Sequence, residues 1–262
     1  MTKIVSRLKE LYDYRYMILS LVRRDLRGKY KNSVLGVFWN FLNPLFQIII
    51  YIIVFTAILY RDIDAYYVYL IVGIMPWFFF SGSLSEGSGS IVSHSNMVKK
   101  IYFPREALVM SVVLSRFITL LIAYAVVIFI IFVTGFGFTW FAFALLPLIF
   151  AVQFMFTLGL TLFFAAVNVY YRDVSHALGV LLMGWMWLTP IVYMRDIGSD
   201  ILQTIMSLNP VTYFIGAYHD LFYYKVIPNI GSLGICFALA FVSLAVGWMM
   251  FMRLERRFAE EL

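Results

Sequence analysis

The sequence predicts an all-α protein that crosses a membrane several times. Hydrophobic residues make up 63% of its 262 residues and charged residues only 13%, whereas about a quarter of the residues in a soluble domain are charged. The apolar residues form long runs without any charge, of the length that a spanning helix of roughly 20 residues needs. The composition therefore excludes a soluble domain and predicts a single transmembrane domain over 1-262.

The first part of the chain, 1-31, predicts a cytoplasmic amphipathic helix that lies along the membrane surface. Apolar side chains recur at helical spacing through Leu11, Ile18 and Val22, and the basic side chains fall on other faces. Such a helix binds the headgroups of membrane lipids. Packing against a soluble partner is less favoured, because the composition leaves no soluble domain. The charged residues assigned to this interface helix are Arg23, Arg24, Asp25, Arg27 and Lys31.

Charge-free runs then predict six spanning helices. The uncharged run over 117–171 is too long for one helix, and the Gly135-Phe-Gly137 segment divides it. Arg116 lies just before this run, at the cytoplasmic edge, where its long side chain can reach the headgroups. The predicted spans are 34-60, 65-90, 112-134, 139-167, 174-194 and 226-252.

A seventh apolar segment decides the topology. Residues 201–219 carry no charge but contain Gln203, Asn209 and Pro210. If this segment crossed the membrane, the basic C-terminus would lie outside. If it forms a re-entrant helical hairpin at the outer face, over 198-224, both termini lie in the cytoplasm with 17 of the 20 Lys and Arg residues. The hairpin fits the positive-inside rule, and buried re-entrant segments are permitted at membrane depth.

A short basic loop after the second span is the main candidate for binding another protein. It places Ile101, Tyr102 and Phe103 between charged residues, and Pro104 is typical of the start of a new helix. Exposed apolar residues framed by charge favour protein docking, and a loop held at the membrane by its lysines is the alternative. The residues assigned to this docking loop are Lys99, Lys100, Ile101, Tyr102, Phe103, Pro104, Arg105 and Glu106, and a second cytoplasmic loop contributes Arg172 and Asp173.

The sequence lacks the residues of several catalytic classes. No G-x-x-x-x-G-K-[ST] motif is present, so the chain is not expected to bind ATP through a P-loop. Its three histidines are scattered and have no spacing that predicts a metal site. We therefore expect no catalytic, cofactor-binding or metal-binding residues. The net charge of +6 is concentrated at positions that the topology places in the cytoplasm, so no nucleic-acid partner is expected.

Acidic residues leave two other functions open. Asp62 and Asp64 lie in the first predicted outer loop, where such a pair could bind a metal in a membrane-embedded glycosyltransferase. Glu86 is the only acid within a predicted span, and an intramembrane carboxylate can carry protons in a proton-coupled lipid or glycan flippase. A hydrated or hydrogen-bonded Glu86 is favoured, because ion-coupled transport usually needs a relay or a coordinated site.

Several motifs together resemble the membrane subunit of bacterial type-2 ABC exporters for polysaccharides, the permeases that export O-antigen, teichoic acid and capsular polysaccharide. The resemblance begins with the segment over 21–36, followed by Trp39 and Asn43-Pro-Leu45, and covers nearly the whole chain. The further motifs are Met75-Pro-Trp-Phe-Phe79, the docking loop over 98–106, Tyr171-Arg-Asp173, Thr189-Pro-Ile-Val-Tyr193 and Asn209-Pro-Val-Thr-Tyr213.

This resemblance implies a homodimer of six-helix subunits, with ATP and Mg²⁺ bound by a separate ATPase subunit present in two copies. It implies that the N-terminal helix and the docking loop contact that ATPase, and that the hairpin shapes an outer gate. The substrate would be a polysaccharide linked to undecaprenyl pyrophosphate or another polyprenyl anchor, in the bacterial cytoplasmic (inner) membrane. The aromatic candidates for lining the channel or gate, which interfacial belts could equally explain, are Trp39, Trp77, Phe78, Tyr193 and Tyr213.

Overall fold

The computed structural model describes residues 2–28, 39–58, 64–194 and 200–262, and these residues contain helices and no β-strand. The predicted all-α class is therefore confirmed for this part of the chain. The helices are α1 (Thr2–Asp13), α2 (Arg15–Gly28), α3 (Trp39–Ile58), α4 (Tyr66–Ser88), α5 (Ser90–Ser93), α6 (Ser95–Lys100), α7 (Glu106–Val133), α8 (Trp140–Tyr170), α9 (Asp173–Trp187), α10 (Asp200–Leu208), α11 (Pro210–Phe222) and α12 (Ile230–Leu254), followed by a 3₁₀ turn (Glu255–Arg257) and α13 (Phe258–Glu261).

Four of the described helices are long and apolar enough to cross a membrane, namely α4, α7, α8 and α12. They overlap the predicted spans 65-90, 112-134, 139-167 and 226-252. Helix α3 falls within the predicted span 34-60. Helix α9 has 15 residues, about 22 Å of helix, which is shorter than a hydrocarbon core of about 30 Å. The total of six spans therefore stays a prediction.

Helix α4 forms the centre of the bundle, and its proline is held by neighbouring helices. Pro76 lies inside α4 and has no N–H to donate, so the carbonyl oxygen of Val72 loses its usual helical partner. The hydroxyl of Tyr124 on α7 donates to that carbonyl at 2.8 Å. On the next turn, Gln153 of α8 donates to the carbonyl oxygen of Pro76 at 3.0 Å, and Tyr218 of α11 donates to Gln153 at 2.6 Å. The first two bonds tie α4 to α7 and α8, and the third ties α11 to α8.

Helices α8 and α12 approach each other closely enough for their backbones to touch. A Cβ atom added at Gly247 would lie 1.9 Å from the carbonyl oxygen of Gly159, and one added at Gly159 would lie 2.3 Å from the backbone of Ser243. Only glycine fits at these positions. Small residues that permit such contact are typical of helix pairs in membranes, where packing and not burial from water drives association.

The segment predicted as a hairpin contains two short helices, α10 and α11, joined at Asn209. The Asn209 side chain caps α11 by accepting the N–H of Val211 at 3.0 Å. It also accepts from Trp185 of α9 at 2.8 Å and donates to Thr189 at 2.9 Å. The helix–turn–helix unit is thus tied to the end of α9, and its re-entry into the membrane stays a prediction.

Helix α11 packs directly on α4 because Gly73 leaves room for a histidine. A Cβ atom at Gly73 would lie 2.5 Å from Nε2 of His219. The imidazole stacks on the Tyr69 ring with 3.8 Å between ring centroids, and its Nε2 lies 3.0 Å from the Tyr69 carbonyl oxygen. Since a carbonyl only accepts, Nε2 carries the proton in this contact. This fully buried histidine therefore has a packing role.

Candidate functional site

Three segments that are distant in sequence meet at one end of the bundle. Helix α6 ends at Lys100, the backbone becomes extended at Ile101, and α7 begins at Glu106. Helix α1 lies beside this docking loop, and so does the C-terminal tail, which we define as residues 255–261. The docking loop continues directly into α7, one of the four helices long enough to span. The loop is therefore joined without a break to a helix long enough to span a membrane.

Arg7 of α1 links the three segments through carboxylates. Its Nε and Nη2 atoms donate to the two oxygens of Glu106 at 2.8 and 2.7 Å. Nη2 also donates to Glu255 of the tail at 2.7 Å, and Nη1 donates to Glu10 at 2.9 Å. Glu106 is completely buried, and Arg7 gives its carboxylate a bidentate partner of opposite charge. Burial alone would lower the pKa of Arg7, but the hydrogen bond and the charges of Glu106 and Glu255 raise it above its ordinary value.

Further contacts fasten the loop to the tail and to α1. Arg105 donates to the carbonyl oxygen of Glu255, and its guanidinium carbon lies 5.8 Å from the centroid of the Phe258 ring. The Tyr102 hydroxyl donates to Glu10 at 3.2 Å. The carboxylate of Glu10, through its charge and this hydrogen bond, raises the pKa of Tyr102. The loop is thus held on both sides by defined partners.

The loop presents one half to the surface and buries the other. Lys99 and Lys100 are exposed, and Ile101 and Tyr102 are 60% and 80% exposed. Phe103 is only 4% exposed, and Pro104 and Glu106 are buried as well. The expectation that Phe103 is an exposed apolar residue is therefore wrong. The chain returns to the bundle to start α7 at this point, and Phe103 packs in the main hydrophobic core.

The interface helix is divided into α1 and α2, and α7 covers its apolar face. Leu11, Ile18 and Val22 are buried against Ala107 of α7. The face that the sequence predicts to bind lipid therefore packs within the same chain. The sequence alone suggests only lipid or a soluble domain as the partner of this apolar face. The structure shows a third partner, the first turns of the membrane helix α7. Of the charged residues assigned to this helix, Arg23, Arg24 and Arg27 are exposed, Asp25 is half-buried and Lys31 lies outside the described residues.

The other predicted positions are spread over the molecule. Arg172 and Asp173 are exposed at the start of α9. Among the aromatic candidates for lining a channel, Trp77 is buried and the others are half-buried. They lie on different elements: Trp39 on α3, Trp77 and Phe78 on α4, Tyr193 after α9 and Tyr213 on α11. Each of these elements contributes to the bundle. That the five residues line a channel stays a prediction.

An ion pair that the sequence pattern did not predict joins α4 and α7. Arg116 donates through Nε to Glu86 at 2.8 Å and through Nη2 to the other oxygen of the same carboxylate. The guanidinium lies over Gly82, where an added Cβ atom would be 3.3 Å from its central carbon. The sequence did contain a signal for this pair. Glu86 and Arg116 are each an isolated charge near the end of a predicted span, and opposite charges in such positions tend to pair.

The acids considered for the alternative functions are thus placed differently. Glu86 has a cationic partner at hydrogen-bonding distance, which agrees with the expectation of a hydrogen-bonded glutamate. Asp62 lies outside the described residues. The carbonyl oxygen of Asp64 accepts from the hydroxyl of Tyr223 at 3.0 Å. This contact involves the main chain of Asp64 and not its carboxylate.

Comparison of the sequence with known families identifies the class of protein to which this bundle belongs. The profile of the ABC-2 type transporter family matches residues 16–223. The chain belongs to this family and is the permease component of an ABC exporter.

Relatives with assigned names narrow the class further. A protein of Myxococcus xanthus named O-antigen export system permease protein RfbA is 32% identical over 247 residues, which is 94% of this chain and 94% of the relative. A Klebsiella pneumoniae protein of the same name is 30% identical over 260 residues, 97% of this chain and 98% of the relative. A second Klebsiella pneumoniae protein of that name is 30% identical over 250 residues, 93% of this chain and 94% of the relative. These relatives favour the exporter over a glycosyltransferase or a flippase.

Proposed function

We propose that this permease exports a lipid-linked polysaccharide across the bacterial cytoplasmic (inner) membrane, as a homodimer driven by two copies of a separate ATPase subunit. Membership of the ABC-2 type transporter family supports the exporter class. Relatives named as O-antigen export permeases support a polysaccharide as the substrate. The lipid anchor is inferred to be a polyprenyl chain, such as undecaprenyl pyrophosphate, in accord with the resemblance of the sequence motifs.

The observation that carries this function is the anchored docking loop. It exposes Ile101 and Tyr102 beside Lys99 and Lys100, while the Arg7 network fixes its base and α7 continues from it into the membrane. A surface loop that is anchored at its base and continues into a spanning helix can transmit the movement of a bound protein to that helix. The motor is the ATPase, which would bind ATP and Mg²⁺, and this chain would bind neither.

A homodimer is supported by the face that α4 and α9 leave open. Ser81 and Ser85 of α4 line an open groove with Leu182 and Met183 of α9. The hydroxyl of Ser81 donates within α4 to the carbonyl oxygen of Trp77 at 2.9 Å, and small residues of this kind let a neighbouring helix pack closely in a membrane. A second copy related by two-fold symmetry could close this face and enclose a path that one subunit leaves open.

Purification of the permease from its own membranes tests the proposed function. An affinity-tagged permease is expected to co-purify with an ATPase subunit in a 2:2 complex that hydrolyses ATP and needs Mg²⁺. The permease separated from that subunit is expected to show no hydrolysis. A permease that supports glycan export while purifying without any ATPase would contradict the proposal.

The proposed topology places both termini in the cytoplasm, with six spans and the hairpin 198-224 at the outer face. In a Cys236→Ala background, a single cysteine introduced at exposed Leu208 or Trp140 should react with an impermeant thiol reagent added to intact cells. A cysteine at Tyr102 or Tyr171 should react only after permeabilisation. The Cys236→Ala variant itself should stay unlabelled. Labelling of the Tyr102 position in intact cells would show that the orientation is reversed.

The Glu86–Arg116 pair allows a direct comparison with proton-driven transport. Glu86→Gln keeps the size and one hydrogen-bond acceptor, and the pair is partly exposed, so we expect export to fall by less than about threefold, in keeping with the small value of exposed ion pairs. A carrier that cycles a proton through Glu86 would lose all transport. Export should be measured as surface glycan per molecule of permease, with Asp200→Asn, at an exposed acid at the start of α10, as the control for removing an acid. Complete loss in the Glu86 variant, with normal abundance, would favour the flippase.

A further inference from the structure

An open cleft lies between the docking loop and the C-terminal tail, and it encloses about 400 Å³. Lys99, Lys100 and Tyr102 line it from the loop, and Glu255 and Arg256 line it from the tail. The surface beside the docking loop is therefore wider than the loop alone.

The charges around this cleft are unbalanced. Arg7 is engaged by Glu106, Glu255 and Glu10, and these carboxylates are engaged in return. Lys99, Lys100 and Arg256 are exposed, and within the described part of the chain no hydrogen bond or ion pair to a side chain is found for them. Cations that share a cavity without counter-charges raise the potential there and attract an anionic group.

The tail is a fixed part of this surface. Phe258 is completely buried, with its ring 5.5 Å from that of Phe251 between centroids. The Tyr170 hydroxyl donates to the Leu254 carbonyl oxygen at 2.9 Å, just before the tail begins. Glu255 is bound by Arg7 through its side chain and by Arg105 through its carbonyl oxygen. Arg256 is therefore held at a defined position opposite the lysines.

We propose that Arg256 of the C-terminal tail forms, with Lys99 and Lys100, a cationic cleft that receives an acidic segment of the ATPase subunit. This inference rests on the proposed function and adds the tail to the docking surface. A protruding acidic segment fits a concave site better than a layer of lipid headgroups does. The exposed side chains of Ile101 and Tyr102, which also line the cleft, offer apolar contact, and this favours a protein over a headgroup as the occupant.

The test uses Arg256→Glu with Arg253→Glu as a matched control. Both arginines are exposed and lie near the C-terminus, but only Arg256 lines the cleft. Each permease is placed in nanodiscs of phosphatidylcholine, which carry no net charge. Its affinity is then measured for the ATPase subunit isolated from the wild-type complex. We expect Arg256→Glu to weaken binding by about tenfold, the effect of reversing a charge opposite an acidic partner, and Arg253→Glu to change it by less than about twofold.

The outcomes separate this inference from the proposed function. If wild-type permease binds the ATPase and Arg256→Glu binds equally well, the cleft is not the docking site and the proposed function stands. If Arg256→Glu differs from wild type only in binding vesicles that contain phosphatidylglycerol, the cleft binds lipid and the inference is overturned. If wild-type permease does not bind the ATPase at all, the proposed function fails. Equal melting temperatures of the two variants would exclude misfolding as the cause of weak binding.

Discussion

Arg7→Ala is expected to destabilise the permease by about 3–5 kcal/mol, the cost of leaving a buried charge without its partner. The substitution leaves the carboxylate of Glu106, which is completely buried, without the guanidinium that binds both of its oxygens. It also removes the cation that binds both Glu255 and Glu106. The measurement is thermal unfolding of the detergent-purified protein, together with its abundance in the membrane.

Two comparisons make this prediction specific. Arg15→Ala removes an exposed guanidinium that stacks on Tyr12 and Tyr16, and it should unfold close to wild type. Arg7→Ala combined with Glu106→Gln removes both charges of the buried pair, so it should recover much of the lost stability. A melting temperature of Arg7→Ala equal to that of Arg15→Ala would mean that the buried ion pair contributes little, and the anchored-loop account would fail.

Tyr102→Ala is expected to uncouple the permease from its ATPase without affecting the fold. The side chain is 80% exposed, so its loss costs little internal packing. Truncating a large anchor within a protein interface costs about 2 kcal/mol or more, which corresponds to roughly 30-fold weaker binding. Ile101→Ala should act in the same direction with a smaller effect. Lys99→Ala alone should be mild, because Lys100 and Arg256 would still supply positive charge to the cleft.

The control for the loop is an exposed aromatic residue elsewhere. Trp140→Ala removes a side chain that is 82% exposed at the start of α8, where the predicted topology places the outer face. It should leave ATPase binding and export unchanged. Phe103→Ala is a probe of packing, since this ring is part of the hydrophobic core, and it should lower stability by about 3–5 kcal/mol. Wild-type binding by Tyr102→Ala, measured with the same ATPase preparation, would remove the loop from the docking surface.

The sequence predicts the helices of this protein better than it predicts their contacts. Charge-free runs and loop residues locate α4, α7, α8 and α12, because a spanning helix must be continuously apolar. Helix α9 ends at Trp187, earlier than the predicted span. Pro190 supplies the reason. A proline lacks the N–H that would continue the helix, and it disfavours helical dihedral angles at the residue before it. The sequence also explains why the hairpin segment consists of two helices that meet at Asn209. An asparagine followed by a proline is a common start of a helix, with the asparagine as N-cap and the proline in the first turn.

The contacts of the site could not be read in the same way. Arg7 and Glu106 are 99 residues apart in sequence, and nothing in local patterning relates them. The exposure of Ile101 and Tyr102, together with the burial of Phe103, depends on the angle at which α7 leaves the loop. The apolar stripe through Ile18 is visible in the sequence, but whether lipid or α7 covers it is a tertiary property.

The most direct test of the central claim is transport in inverted membrane vesicles that contain the permease, the ATPase and a radiolabelled lipid-linked polysaccharide. Transfer into the vesicle lumen protects the glycan from an added glycosidase. We predict that protection needs Mg²⁺ and ATP, persists when an uncoupler collapses the proton gradient, and disappears with Tyr102→Ala. Protection that continues without the ATPase, or that stops when the uncoupler is added while ATP is maintained, would contradict an exporter driven through the docking loop.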